Sequence, residues 1–441
     1  MSEKNVLVVG AGIAGLSAAT VLAKNKISVR LVDQAGSIGG NLHRQANPNV
    51  QPISRSPENK KRWKRVIEKF NAEQDYISVN CRVRFSGIDQ KGVALLSDLN
   101  GTDNKFIKPD AVIIATGASE RVIPRPGWTL ANVRTLGSIQ TELKTTSQAP
   151  KGKIIIAGSG PFLIAAGAEL CKAGNPPKAI IEGGYPYSHI LKSLRLPPSY
   201  LREAFDYMQT LIRARVPIYY KSHIREIKTT SDNQALEVCI ASSDGKTRTQ
   251  EIDYVGLHDG LRQNDYGFSI DPHLKIFTTG DCRELLGGRA AEFDGKKVGL
   301  EVASLLTNQS IPYHHKREYE KHRQAQNIIR KIYAHEPPLD LQKMDEQTVI
   351  CRCENKTIND LKKLSNPTIR EMRLLGRFSM GACQGRFCSE WVQRFLNPDT
   401  SPPKSTLGLS RWPVLPTRIH NIVEATTEST SQSNSLIQEN K

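Results

Sequence analysis

Four cysteines near the end of the chain are its most chemically suggestive residues. They are Cys351 and Cys353 in Cys351-Arg-Cys353, and Cys383 and Cys388 in Cys383-Gln-Gly-Arg-Phe-Cys388. Two close thiolate pairs form a soft ligand set suited to a metal or a cluster. Structural zinc usually takes C-x(2–4)-C, so the C-x-C of the first pair favours an iron–sulfur cluster. Each pair stands before a predicted helix. Thr357 and Asp360 read as a capping box ahead of 358–364, and Ser389 reads as the cap of 390–395. A helix N-terminus stabilises nearby negative charge, which suits a thiolate-bound cluster. Four ordinary buried cysteines would seldom fall into this spacing.

The second chemical signal opens the chain. Asn5–Val9 is an apolar strand ending in Gly10-Ala-Gly12-Ile13-Ala14-Gly15, and a helix follows to about Lys24. The next strand, 28–32, is closed by Asp33. The first glycine allows a tight turn, the second lets backbone approach a pyrophosphate, and the third lets helix pack on strand. Asp33 lies about 20 residues on, where a carboxylate meets a ribose 2′-hydroxyl and repels a 2′-phosphate. FAD or NAD fits, and NADP does not. Later motifs in the chain favour FAD. Gly39-Gly40 extends the turn region. Ile113-Ile114-Ala115-Thr116-Gly117 carries an A-T-G turn, and Thr279-Gly280-Asp281 resembles a late motif whose aspartate holds the flavin. The predicted cofactor contacts are Gly10, Gly12, Ile13, Ala14, Gly15, Asp33, Gly40, Val83, Ala115, Thr116, Gly117, Gly280 and Asp281.

These residues need a particular set of elements around them. The basic run 60–65 opens a helix with Trp63, Val66, Ile67 and Phe70 at helical spacing, and its charges read as a solvated face. A strand over 77–83 comes next, then a hairpin over 87–107 that turns at Asn100-Gly101. Pro124-Arg-Pro126-Gly127-Trp128 marks a linker. A second nucleotide-like unit then opens at Lys153. Its turn is Gly158-Ser159-Gly160-Pro161, and Glu182 closes its second strand. Leu163 stands where a third glycine would let the helix pack closely. NAD, another adenine nucleotide or an empty scaffold all remain open here, and catalytic use of NAD is disfavoured. A helix over 199–212, strands near 218–220 and 236–241, a helix over 290–306 and a polar helical extension over 311–331 complete the frame.

The fold class expected is α/β: a Rossmann-type, two-dinucleotide-binding-domain flavoprotein of disulfide-reductase shape with a small helical C-terminal module. The expected units are 1–148 with 264–310 for FAD, 149–263 for the second nucleotide-like domain, 311–345 as a helical linker, 346–415 for the cysteine module and extension, and 421–441 as a disordered tail.

Composition narrows the function. The formal net charge is +17, but the basic residues are spread and lack the aromatic interleaving of a nucleic-acid groove. The 154–171 stretch is apolar yet holds Gly158, Gly160, Pro161 and Glu169, so no membrane span is expected. No secretory signal is visible, and Cys81, Cys171, Cys239 and Cys282 show no disulfide spacing, which points to reducing cytoplasm. The region 38–44 contains no cysteine, so the redox dithiol of a disulfide reductase is missing. His43 reads as a polar contact near flavin phosphates. His189, His258 and His273 read as isolated, so no catalytic residue is assigned.

The chain resembles a family made up of the A-type subunits of opine (octopine and nopaline) oxidases, the B-type subunit of hydrogen cyanide synthase and subunits of D-hydroxyproline dehydrogenase. The likeness covers about 4–415. It rests on Pro126-Gly-Trp-Thr-Leu130, Gly158-Ser-Gly-Pro161, Cys351-Arg-Cys-Glu354, Met380-Gly-Ala-Cys-Gln-Gly-Arg-Phe-Cys388 and Arg411-Trp-Pro413. The cysteine module is similar to bacterioferritin-associated ferredoxin. The resemblance implies a [2Fe–2S] cluster on Cys351, Cys353, Cys383 and Cys388. It also implies a heteromer in which an amino-acid-oxidase-like flavin subunit oxidises the substrate, joined by a small ferredoxin-like subunit. This chain would carry electrons onward. Relatives tend to have glycine at Ser379, and Leu-Pro-Gly-Val where Leu130-Ala-Asn-Val133 stands. A self-sufficient NADH-dependent flavin reductase and an iron-sensing or docking protein are the competing readings.

Overall fold

The computed structural model describes residues 4–53, 56–99, 104–265, 271, 273–335, 340–365, 367–396, 412–417, 419, 422 and 423. The predicted turn at 100–101 and almost all of the predicted tail lie outside these.

Continuous apolar runs build a parallel sheet covered on both faces. Its order is Ile276–Thr278, Ala111–Ile114, Asn5–Val9, Ser28–Asp33, Ile77–Cys81. Helices Ile13–Lys24 and Gly287–Thr307 pack on one face. They cross closely because Gly295 lies against the backbone of Ala14, where a Cβ would meet the Ala14 carbonyl oxygen at 2.1 Å. The other face is covered by an antiparallel sheet of Val83–Ile88, Ala94–Asp98 and Asn104–Ile107. The predicted 77–83 strand is therefore two strands. Arg82 adopts φ 59°, and this left-handed residue turns the chain from one sheet into the other.

The second half repeats the plan. Its parallel sheet runs Ile218–Tyr219, Ala179–Glu182, Ile154–Gly158, Tyr254–His258, Val133–Thr135. Helices Leu136–Thr146, Pro161–Lys172 and Pro198–Arg213 cover one face. The antiparallel strands Ser222–Thr229, Leu236–Ser242 and Thr247–Ile252 cover the other. The first and last of these were not expected, because their outward residues are polar. A two-stranded ribbon, Ala118–Glu120 with Leu261–Gln263, joins the halves.

The helix Lys316–Ile332 leads toward the cysteine module. The module has a short hairpin, Val349–Cys351 with Lys356–Thr357, and helices Ile358–Lys362, Ile369–Leu374 and Ser389–Leu396. The Thr357–Asp360 capping box is present, and Thr368–Glu371 forms a second one. Ser389 stands inside the helix and not before it. It is the first helical residue, and its hydroxyl donates back to the Gly385 carbonyl at 2.6 Å.

The module is fastened to the joining ribbon. Arg121 donates from Nε and Nη2 to the Glu390 carboxylate at 3.0 and 2.5 Å and lies over the Trp391 ring. Arg262 donates to the Arg386 carbonyl, between Cys383 and Cys388. Trp128 Nε1 donates to the Val349 carbonyl at 2.7 Å, and Ile123 enters the module's core. Val414 donates its N–H to Ser86 and accepts from Arg386, so the 412–417 segment ties the cysteine loop to the antiparallel layer.

Candidate functional site

The ends of the first sheet's strands open onto a cavity of about 870 Å³. Gly10, Gly12, Ile13, Ala14, Asp33, Gly40, Val83, Ala115, Thr116, Gly117 and Asp281 line it. Gly15 and Gly280 do not; they sit behind the lining. A Cβ on Gly15 would lie 1.9 Å from the Gly10 carbonyl oxygen, and one on Gly280 would lie 2.7 Å from the Ala14 Cβ. Gly10 itself has φ +105° and abuts the Ala115 carbonyl, so the turn requires glycine. No side chain caps the Ile13–Lys24 helix, and its first turn has no acidic residue. Its N–H groups face the cavity as an anion site.

Asp33 ties this turn to the second strand. Its carboxylate accepts from the Ala11 and Ala35 N–H groups, each at 2.7 Å. At the far side, Asp281 Oδ1 accepts from Leu286 N–H at 2.8 Å and Gly287 N–H at 2.9 Å. Burial holds its carboxyl above the ordinary range, and nearby Asp294 adds to this. Sequence reading missed Asp294, which is fully buried in the middle of the closing helix. It accepts from the Thr279 hydroxyl at 2.8 Å and the Gly280 N–H at 2.7 Å, and it pairs with Arg283. A charged residue between the apolar and small residues Phe293 and Gly295 was the available signal.

The cavity continues between the two halves, where Gln140, Lys144, Phe162, Glu169 and Tyr207 also line it. Glu120 borders it from the joining ribbon. Its Oε2 accepts from Gly137 N–H at 2.9 Å, and its Oε1 is 3.0 Å from His258 Nδ1. His258 is therefore not isolated as expected: it is buried, paired with a carboxylate and met edge-on by Phe162. His43 also departs from expectation. It is wholly buried, stacks on Trp63 with centroids 5.0 Å apart, and is absent from the cavity lining. Trp63 is itself partly buried against the core of the first half.

The second turn repeats the first with a different outcome. Glu182 accepts from Gly160 N–H at 3.1 Å and Gly184 N–H at 3.0 Å, and burial raises its carboxyl above the usual range. The chain's own 333–335 segment lies across this turn. Ser159 donates to the Tyr333 carbonyl at 3.3 Å, and the His335 ring packs against Gly183. Beside it is a smaller cavity of about 430 Å³, lined by Arg125, His223, Arg225, His335 and Lys343 among others.

In the module, Cys351 and Cys388 are buried, Cys383 is half-buried and Cys353 is exposed. The Cys351 and Cys388 thiols are within hydrogen-bonding reach of each other, as are those of Cys353 and Cys383. The bond with Cys388 pulls the Cys351 thiol down to about 6, and the same bond pushes Cys388 up. Ser379 adopts φ +63°, the region that favours glycine, and its hydroxyl lies 3.4 Å from Cys388 Sγ. Among the described residues, no group of three or more His, Cys, Asp or Glu side chains is arranged to hold a single metal ion.

The fold and the cavity define a class. The chain belongs to the pyridine nucleotide-disulphide oxidoreductase family, matched over residues 4–284, and it is an FAD-dependent oxidoreductase. Its glycine cradle, open helix terminus and long cavity fit a dinucleotide. More particularly, it is homologous to the A-type subunit of the opine oxidase of Rhizobium meliloti, with 27% identity over 95% of this chain and 87% of that one. It is likewise homologous to the HcnB subunit of the hydrogen cyanide synthase of Pseudomonas aeruginosa, with 26% identity over 87% and 90%. The likeness read from its sequence motifs is thus borne out. The solved L-proline dehydrogenase from P. horikoshii shares the fold at TM-score 0.64 and 16% identity, over 95% of this chain and 79% of that one. Thioredoxin reductase from T. acidophilum does so at TM-score 0.51 and 18% identity, over 69% and 100%. Among the described residues no helix is long and apolar enough to cross a membrane.

Proposed function

We propose that the chain is the FAD- and [2Fe–2S]-carrying electron-transfer subunit of a heteromeric amine, opine or amino-acid dehydrogenase. The substrate is oxidised in an amino-acid-oxidase-like flavin subunit, and this chain relays the electrons to an acceptor in the reducing cytoplasm. The supporting relatives are themselves subunits of an opine oxidase and a hydrogen cyanide synthase. The observation that carries the reading is the attachment of the cysteine module to the flavin cavity's own wall. Arg262 holds the cysteine loop, and two residues on, Asn264 donates its N–H to the Gly117 carbonyl at 3.0 Å.

FAD would lie across Gly10–Gly15, Asp33, Ala115–Gly117 and Asp281, in the unit formed by 1–148 and 264–310. It supplies reversible electron storage, and a cluster on Cys351, Cys353, Cys383 and Cys388 passes single electrons. Facing thiol pairs suit a binuclear cluster, which spreads its four ligands over two irons. The chain's residues have separate tasks. The glycine turn and helix terminus bind phosphate, Asp294 and Asp281 fix the late turn, and the ribbon orients the module. The second turn is read as making no catalytic use of NAD, because a pyridine dinucleotide there would have to displace Tyr333 and His335.

Dye-linked dehydrogenase activity tests the proposal. The chain alone should be inactive on opines, proline analogues and glycine, and should become active on mixing with its cognate flavin subunit. Robust turnover by the chain alone, on an amino acid or NADH, would overturn it.

A further inference from the structure

The second half exposes an unusual amount of apolar surface in one stretch. Eight of the large exposed hydrophobic side chains fall within 185–212: Tyr185, Tyr187, Ile190, Leu191, Leu194, Leu201, Phe205 and Ile212. Leu191, Leu194, Phe205 and Ile212 keep 77%, 73%, 65% and 68% of their surface. Scattered exposed apolar residues need no explanation, but a concentration of this kind marks an interaction site.

Apart from Tyr185 and Tyr187, which precede them, the residues belong to two elements adjacent in sequence. Ile190, Leu191 and Leu194 come from the short helix Ile190–Ser193 and its end. Leu201, Phe205 and Ile212 recur at helical spacing along one side of Pro198–Arg213. That helix buries a different side through Tyr200 and Leu211. Both elements flank the Lys316–Ile332 helix: the short one packs on it, and Tyr200 Oη lies 3.2 Å from His322 Nδ1.

Charge narrows the occupant. Lys192, Arg195, Arg213 and Arg215 are exposed in and around the patch. Only two carboxylates, Glu203 and Asp206, occur in 185–215. Glu203 is engaged by Arg289 at 2.9 Å, and Asp206 is half-buried. A symmetric pairing of two copies would set cation against cation in an already basic chain. A protein partner with an apolar centre ringed by carboxylates would complement the patch.

We propose that this face docks the partner flavin subunit through an acidic-rimmed apolar surface. The proposal rests on the heteromeric reading above. Its position suits electron transfer. The same Pro198–Arg213 helix turns Tyr207 into the flavin cavity and Phe205 outward. One helix, roughly 10 Å across, then separates the docked subunit from the cavity wall.

The test co-expresses the full chain with the amino-acid-oxidase-like flavin subunit of the same source and measures the assembly by light scattering and titration. Leu191→Asp and Phe205→Glu should each weaken association at least tenfold, while retaining the wild-type flavin content and thermal midpoint. Lys192→Glu with Arg195→Glu should weaken it too, and should flatten its salt dependence. If the wild type assembles and all three variants assemble equally well, the docking face is elsewhere and the heteromeric reading stands. If the wild type never assembles, the heteromeric reading itself falls. Two further results overturn the proposal: a homodimer of the chain alone that the variants abolish, or sedimentation of the wild type with anionic phospholipid vesicles that Leu191→Asp abolishes.

Discussion

Gly12 and Gly15 are three residues apart and should fail differently when substituted. A Cβ on Gly12 meets nothing closer than the Gly40 Cα at 3.9 Å and faces the cavity, whereas one on Gly15 strikes the Gly10 carbonyl. Gly12→Val should therefore fold normally and purify without flavin, read as loss of the FAD released on denaturation, at an unchanged far-ultraviolet spectrum. Gly15→Ala should lose about 1–3 kcal/mol of stability through overpacking, read by denaturant unfolding. Glu182 offers a test by pH. Burial raises its folded pKa above the unfolded value of about 4.3. The native state thus holds the proton more tightly. Its stabilising effect is full below the unfolded pKa and is lost as pH rises through the folded one. Glu182→Gln removes that loss, so its thermal midpoint relative to wild type should rise from acid to neutral pH. The glycines and Asp33 were legible in sequence because a phosphate turn is a local device. The Glu120–His258 pair spans 138 positions, and no local pattern announces it.

At the level of elements, apolar runs and turn glycines made the two parallel sheets legible. The strands with polar outer faces were not, because only half of their residues see a core. The attachment of the cysteine module was equally hidden, since Arg121 and Glu390 meet across 269 positions. Their side chains are only 16% and 7% exposed, and truncating Arg121 leaves Glu390 with Arg394, 3.4 Å away, as its remaining cation. Arg121→Ala should weaken docking of the module by about 2 kcal/mol, the worth of hydrogen bonds to a charged group. Hydrogen exchange should then rise across 349–396 while the parallel sheets stay protected. Uniform protection would show that the Trp128 and Arg262 contacts suffice.

Across the whole molecule, two nucleotide-type halves share one plan. The first keeps an open turn facing a long cavity, and the second has its turn crossed by Tyr333 and His335. The basic balance of +17 is spread over this frame and gives any acidic partner a long-range attraction that salt screens. What sequence could not supply was the position of the module on the cavity wall, because that depends on contacts among three separate chain segments. Flavin and cluster are proposed to reside together in one chain so that electrons pass between them. Cofactor analysis of anaerobically purified protein tests this most directly. Stoichiometric FAD is expected, together with iron and acid-labile sulfide in equal amounts that are lost in Cys383→Ser. Fully occupied zinc without sulfide, or protein without flavin, would contradict it.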